Sequence, residues 1–312
     1  MHMLKWFVGA LALLALACGE VSETSTPVVR DGEGLLELPL VSTSAGRTYR
    51  LVGATFDITG PQNATITDTT AETVLLPLMA GTYTLQMNGD WHVERTDAPG
   101  VTVPVTLVSP NPMSFTLTEG ETRPVRFLFK VPGDGTVDVG IGVDTGGWIS
   151  GTIHFDSRPP PPPGSPPDVF ADVGGRQIPY VISYESATVT RTLDYGSYLT
   201  TIQTSPVTVQ FGGATGAAFQ QQVVSALQGR TLTFSISSDG SPTTYVSALI
   251  VENMERGVRF ELMLNTPLAS GVDANGYAIL RPTDFTGGFA ELRAANSGSV
   301  NGLMLGGTLA PR

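Results

Sequence analysis

A single cysteine, Cys18, stands among 312 residues, so the chain has no partner for an internal disulfide. Lysine is almost as scarce, with Lys5 and Lys130 alone. Charged residues of all kinds make up 14%, and 17 Lys and Arg against 28 Asp and Glu give a formal net charge of −11. Neutralising a phosphate backbone needs clustered cations, so a nucleic-acid partner is not expected. Histidine is limited to His2, His92 and His154, which starves most hydrolytic mechanisms of a base. There is no Gly-x-Ser-x-Gly elbow and no glycine loop leading into a lysine, so serine α/β-hydrolase and P-loop chemistry lack their signatures. Beyond the N-terminal stretch, no apolar run approaches the roughly 18 residues of a membrane helix.

What is abundant is glycine, at 36 residues, and proline, at 23, with threonine throughout. Both of the first two oppose helix, which rules out a helical bundle. Apolar residues at 41% are too many for a disordered chain.

The N-terminus joins Lys5 to an apolar segment from Trp6 to Leu16 and closes on Ala15-Leu16-Ala17-Cys18-Gly19, the plan of a signal peptide over residues 1–17. At ~1.5 Å per residue that segment is about 16 Å of helix, too short for a bilayer core of ~30 Å. Small residues before a cysteine resemble the lipobox of bacterial lipoproteins, although Ala15 stands where that family usually has leucine. The resemblance implies cleavage before Cys18, acylation of its thiol and a lipid anchor in the cell envelope, at the outer membrane. The alternative is an ordinary secretory signal, with Cys18 removed or left as a free thiol. Residues 18–33 are polar and aperiodic, the expected flexible tether.

From Arg158 to Asp168 seven of nine internal positions are proline, which favours polyproline II and reads as a spacer over 158–167 between domains at 34–157 and 168–312. The first domain alternates apolar and polar residues: Val101, Val103, Val105 and Leu107; Met113, Phe115 and Leu117; Val125, Phe127 and Phe129. Turn signals at Gly60-Pro61, Asn88-Gly89 and Ser109-Pro110-Asn111-Pro112 punctuate these runs, and short strands so divided predict a β-sandwich.

Leu76-Pro77-Leu78-Met79-Ala80-Gly81-Thr82-Tyr83 is similar to the strand entry of prealbumin-like sandwich modules, such as carboxypeptidase-regulatory-like domains and adhesin stalk repeats. The resemblance implies a tight turn at the glycine, an inward tyrosine and a non-catalytic spacer or binding fold. More loosely, the order of Ala54–Ile58, Asn88-Gly-Asp-Trp91, Thr116–Gly120 and Val125–Phe129 resembles myxobacterial-type envelope lipoproteins.

Residues 168–312 carry further strand patterns and one helical stripe, Phe219, Val223, Ala226 and Leu227. Thr215 is its expected N-cap and Gly229 its stop, with Gln220, Gln221 and Gln222 mostly facing water. The fold class expected is all-β: two sandwich-like domains, the second with an inserted helix near 216–228.

Candidate chemistry is sparse, and no catalytic, cofactor or metal site is assigned. His154 shares a strand face with Asp156, Thr152 and Ser150, and His92 follows Asp90-Trp91 at a hairpin end; a solvent-facing strand and a structural turn are the simpler accounts. Asp134, Asp138 and Asp144 sit near glycine turns without the spacing of a calcium loop. Glu252, Glu255, Glu261, Asp273, Asp284 and Glu291 supply carboxylates for a glycosidase pair, but Arg256, Arg259 and Arg293 among them point to cross-strand ion pairs. Aromatic rings near turns, Trp91, Trp148, Tyr195 and Tyr198, are the candidate ligand-binding residues, since a sugar ring stacks on an exposed aromatic face. The expectation is a membrane-anchored, non-catalytic envelope protein that binds a polysaccharide or an envelope protein. The alternative is a polysaccharide-active hydrolase with its site in the C-terminal domain.

Overall fold

The computed structural model describes residues 27–44, 47–131, 137–140, 146–164, 166–213 and 215–311. The leader, Cys18 and most of the tether lie outside the described residues, as do Asp134 and Asp144. The described chain is all-β with one short helix, and its apolar alternation feeds two large cores.

The first core is enclosed by four small sheets. Glu33–Pro39 lies between Thr122–Pro124, which is parallel to it, and antiparallel Thr73–Met79. Gly81–Asn88 lies between Met113–Leu117 and Thr55–Thr59, with Ala64–Ile66 outermost. Arg47–Val52 joins Val41–Ser44 to His92–Arg95 and the edge strand Ala98–Val103. Leu128–Val131 pairs with Thr106–Leu107 and Val137–Gly140. Met113, Phe115, Leu117, Val125, Phe127 and Phe129 are all buried, as their alternation requires. Val101 is not: it is 61% exposed on the edge strand, and the strand stops before Pro104, which has no N–H to donate.

The inward tyrosine is Tyr83, which donates its hydroxyl to the Met79 carbonyl at 2.7 Å and stacks on Phe115 at 5.5 Å. Gly81 turns the chain at φ 154°, and a Cβ there would meet the Pro61 ring at 2.4 Å. Only glycine fits both constraints.

The second core belongs to one sheet of twelve described strands. Its main path runs Ala187–Asp194, Ser197–Thr204, Thr233–Ser238, Leu249–Asn253, Val258–Leu264, Gly288–Ala294, Gly298–Ala310, Gly147–Phe155, Gln177–Tyr184 and Val207–Phe211. Phe260 and Phe211 stand on strands five steps apart, about 24 Å on a flat sheet at ~4.8 Å per strand. Their rings are 5.4 Å apart, so the sheet curls round its own core. The outer side of the Val207–Phe211 strand is also occupied. Val207 donates to the Arg230 carbonyl at 2.7 Å, Gly229 donates to Val207, and Val209 bonds the Gln228 side chain.

Against this core packs one face of the helix, Ala217–Phe219, a π-turn over Gln220–Val224, and Ser225–Leu227. Phe219, Val223, Ala226 and Leu227 are buried, as the stripe predicts, and Gly229 has φ 70°. Two details differ from expectation. The N-cap is Gly216, which makes no side-chain cap bond, while buried Thr215 accepts instead from the Gln220 amide at 2.6 Å. Gln220 is 1% exposed rather than solvent-facing, because the buried face of the helix is wider than the stripe and takes in Gln220 and Val224 as well.

The proline tract does not lead from one core to the other. Gly147–Phe155 before it and Gln177–Tyr184 after it pair in register from Gly147–Tyr184 to His154–Gln177, so residues 147–155 belong to the large sheet. Arg158 fastens one end of the tract: its guanidinium bonds Asp168 at 2.8 Å, the Ser297 carbonyl at 2.8 Å and the Ser299 carbonyl, and lies 5.3 Å from the Phe170 ring centroid. The two bodies meet directly. Ser114 donates to the Gly213 carbonyl at 2.8 Å, Gln210 donates to the Arg126 carbonyl at 3.0 Å, and Trp148, Val181 and Ala310 pack beneath Val108 and Leu128.

Candidate functional site

Strands Ala187–Asp194 and Ser197–Thr204 form a hairpin whose turn holds two residues, Tyr195 and Gly196, because Asp194 and Ser197 are register partners. Of the two-residue turns matched to strand twist, type I′ has positive φ at both positions, and these have 46° and 83°. Gly196 takes this without strain. Tyr195 is the sole non-glycine residue with positive φ among the described residues, and its side chain is fully exposed. Left-handed backbone at a bulky residue costs about 1–3 kcal/mol.

Tyr198, three residues on, is half-buried and meets Tyr277 edge to face, with centroids 5.3 Å apart at 81°. Tyr277 reaches it from a loop that closes over the hairpin because residue 276 is glycine. A Cβ on Gly276 would come within 2.8 Å of the Tyr198 ring. Ser238 ties the loop down by donating to the Gly276 carbonyl at 2.8 Å.

Charge completes this corner. Arg191 lies 2.8 Å from Asp273 Oδ2, and its guanidinium stands 5.3 Å from the Tyr277 ring centroid. Asp273 Oδ1 accepts from the backbone N–H groups of Asn275, at 2.9 Å, and Tyr277, at 3.1 Å. Desolvation pushes the Asp273 carboxyl up, but those N–H groups and Arg191 outweigh it and hold the carboxyl below its ordinary value. The result is a pair of half-buried tyrosines, packed on each other, on Gly276 and on Arg191, beside a fixed carboxylate, with the exposed Tyr195 ring at the turn of the same hairpin.

The four candidate aromatics therefore separate. Tyr198 meets Tyr277, with Arg191 and Asp273 beside that pair, partners that sequence reasoning did not supply, while Tyr195 stands fully exposed at the turn of the same hairpin. Trp91 is half-buried, edge-on to Phe129 at 5.3 Å, and packs on the first core. Trp148 is buried at the seam between the bodies. Of the two tryptophans, Trp148 presents no open face.

The remaining candidates have quieter roles. His92 Nε2 lies 2.8 Å from Glu94 Oε1, and His154 is exposed on the outer face of its strand. Arg259 pairs with Glu261 at 2.8 Å in its own strand and with Glu252 at 3.3 Å across strands, where the two are register partners. Arg293 pairs along its strand with Glu291 at 3.0 Å, and the Arg256 N–H donates to the Asn253 side chain. Asp284 accepts from the Thr308 hydroxyl at 2.6 Å. No group of three His, Cys, Asp or Glu suited to a metal ion occurs among the described residues. No helix among them is long and apolar enough to cross a membrane. Compared with known protein families, curated proteins and solved structures, the chain matches none.

Proposed function

We propose that the protein is a lipid-anchored envelope protein of the bacterial outer membrane that binds a polysaccharide at the Tyr195–Tyr198–Tyr277 corner without transforming it. The observation that carries the binding reading is Tyr195. A ring fully in solvent is held there on a left-handed backbone that asparagine or glycine would adopt at lower cost, at the turn of the hairpin whose strands carry Arg191 and Tyr198 to Tyr277. The anchor reading rests on the lipobox-like Ala15-Leu16-Ala17-Cys18 and on the lack of any other cysteine.

Two experiments test it. Cys18→Ala should move the protein from the membrane fraction to the soluble fraction, and retention on membranes would sink the anchor. The soluble Cys18→Ala protein on a glycan array should bind a subset of polysaccharides saturably and leave them uncut, with Tyr195→Ala weakening binding about tenfold at unchanged fold. Product formation would favour the hydrolase instead, and binding indifferent to Tyr195 would place the site elsewhere.

A further inference from the structure

The seam between the bodies contains a cleft of about 280 Å³, at the lower end of small-molecule sites and equal to roughly nine waters at ~30 Å³ each. Val108, Pro124, Arg126 and Leu128 line it from the first body, Trp148 and Glu185 from the large sheet. Two donors in this wall have no acceptor. Trp148 is 4% exposed and its Nε1–H is buried without a partner, and so is the Nε–H of Arg126. A buried N–H left unpaired is expensive, and two around one cavity indicate that the acceptor comes from outside the chain.

Several polar side chains of the lining are engaged: the Ser205 hydroxyl accepts from the Glu185 and Ser186 N–H groups, and Tyr184 donates its hydroxyl to the Pro311 carbonyl. Gln210 spends its amide on the Arg126 carbonyl and on the Ser109 hydroxyl, which itself accepts from the Leu128 N–H at 2.8 Å. Arg126 Nη1 faces Glu185 Oε1 at 3.4 Å, so the guanidinium charge is already balanced and an anionic guest would meet the carboxylate. Ser183 and Thr208 add hydroxyls to the lining, and Val108, Pro124, Leu128 and Phe129 supply its apolar part.

We infer that this cleft is a second binding site, independent of the tyrosine corner, for a small uncharged molecule that carries an amide-type carbonyl on an apolar body. The carbonyl oxygen accepts from Trp148 Nε1–H, with Arg126 Nε–H as the second donor. The apolar part rests on Val108, Pro124 and Leu128.

The test uses the full chain with Cys18→Ala, labelled with ¹⁵N at the tryptophan indoles, and three probes: acetanilide, its carbonyl-free analogue N-ethylaniline, and benzoate. Acetanilide should shift the Trp148 indole N–H resonance saturably while leaving that of Trp91 in place. N-ethylaniline and benzoate should bind at least tenfold more weakly. Trp148→Phe, which keeps an aromatic ring and deletes the donor, should weaken acetanilide about tenfold by saturation-transfer measurements. A Trp148 resonance that does not move, or moves equally with N-ethylaniline, would show a hydrated seam and overturn the inference. Should Trp148→Phe fail to fold, the probe series on the tryptophan-bearing chain still decides.

Discussion

The side-chain amide of Gln228 stands beside Val209 as a peptide group would, accepting from the Val209 N–H at 3.1 Å and donating back to the Val209 carbonyl. A side chain thus continues the ladder that Gly229 and Arg230 begin at Val207, and the Val207–Phe211 strand is not left as an open edge. Gln228→Leu removes both bonds and leaves two backbone groups to find other partners. The expected loss is about 2–3 kcal/mol, read by denaturant unfolding, with Gln228→Glu intermediate because it keeps an acceptor but no donor. An unchanged midpoint for Gln228→Leu would mean that water serves Val209 equally well.

Tyr195→Asn should separate stability from binding. Asparagine tolerates left-handed backbone, so the variant should gain about 1 kcal/mol in thermal unfolding while losing glycan affinity. A variant that is both less stable and fully binding would show that the tyrosine serves the turn alone.

Buried hydroxyls offer a second stabilising change. Tyr180 is 1% exposed, its hydroxyl has no partner, and burial pushes its ionisation well above the ordinary tyrosine value. Thr200 is fully buried with its hydroxyl likewise unpartnered. Tyr180→Phe and Thr200→Val should each stabilise the protein by roughly 1 kcal/mol, since each deletes a desolvated polar atom that returns no bond. Destabilisation on calorimetry would point to a water bound at that hydroxyl.

The tyrosine corner should be acid-sensitive. Asp273 has its carboxyl lowered in the folded state, so the stability it contributes is fully present above the ordinary value of 3.8 and is lost as pH falls through the lowered one. Glycan binding at the corner should follow the same course, and Asp273→Asn should flatten that limb of the curve. A titration limb identical in the variant would assign the acid loss to other carboxylates.

Arg158→Ala should loosen the proline tract. It removes the bonds to Asp168, Ser297 and Ser299 and the contact with Phe170, for about 2 kcal/mol, and should expose residues 159–164 to proteases. A protease pattern like that of the parent chain would show that proline alone holds the segment.

Much of the fold was legible, and the misreadings have physical causes. Period-two burial at Met113, Phe115 and Leu117 and the stripe from Phe219 to Leu227 are set by local spacing, so sequence carries them. Residues 147–155 fell on the wrong side of a boundary because composition shows where a chain cannot form strands, whereas pairing shows what lies on either side. Gln220 faces inward because the helix buries a face wide enough to include Val224, and a glutamine there carries no apolar signal to mark it. At the candidate site, Tyr195 and Tyr198 were visible because they lie three residues apart at one hairpin end. Tyr277, Arg191 and Asp273 were not, since a loop and a strand distant in sequence meet only once the sheet has curled.

Strand order also fixes when the protein can finish folding. Gly298–Ala310 comes last in chain order yet lies between Gly288–Ala294 and Gly147–Phe155, making Ser150 and Thr308 register partners. A chain delivered N-terminus first can complete its first core from residues 33–131 early, while Gly147–Phe155 waits for almost everything after it before its second flank is covered. Non-local pairing of this kind is slow, and until it is made an apolar sheet stays open. The large sheet is therefore the part of the molecule most in need of protection while it folds, and loss of those thirteen residues would spare the first body while removing the middle of the second.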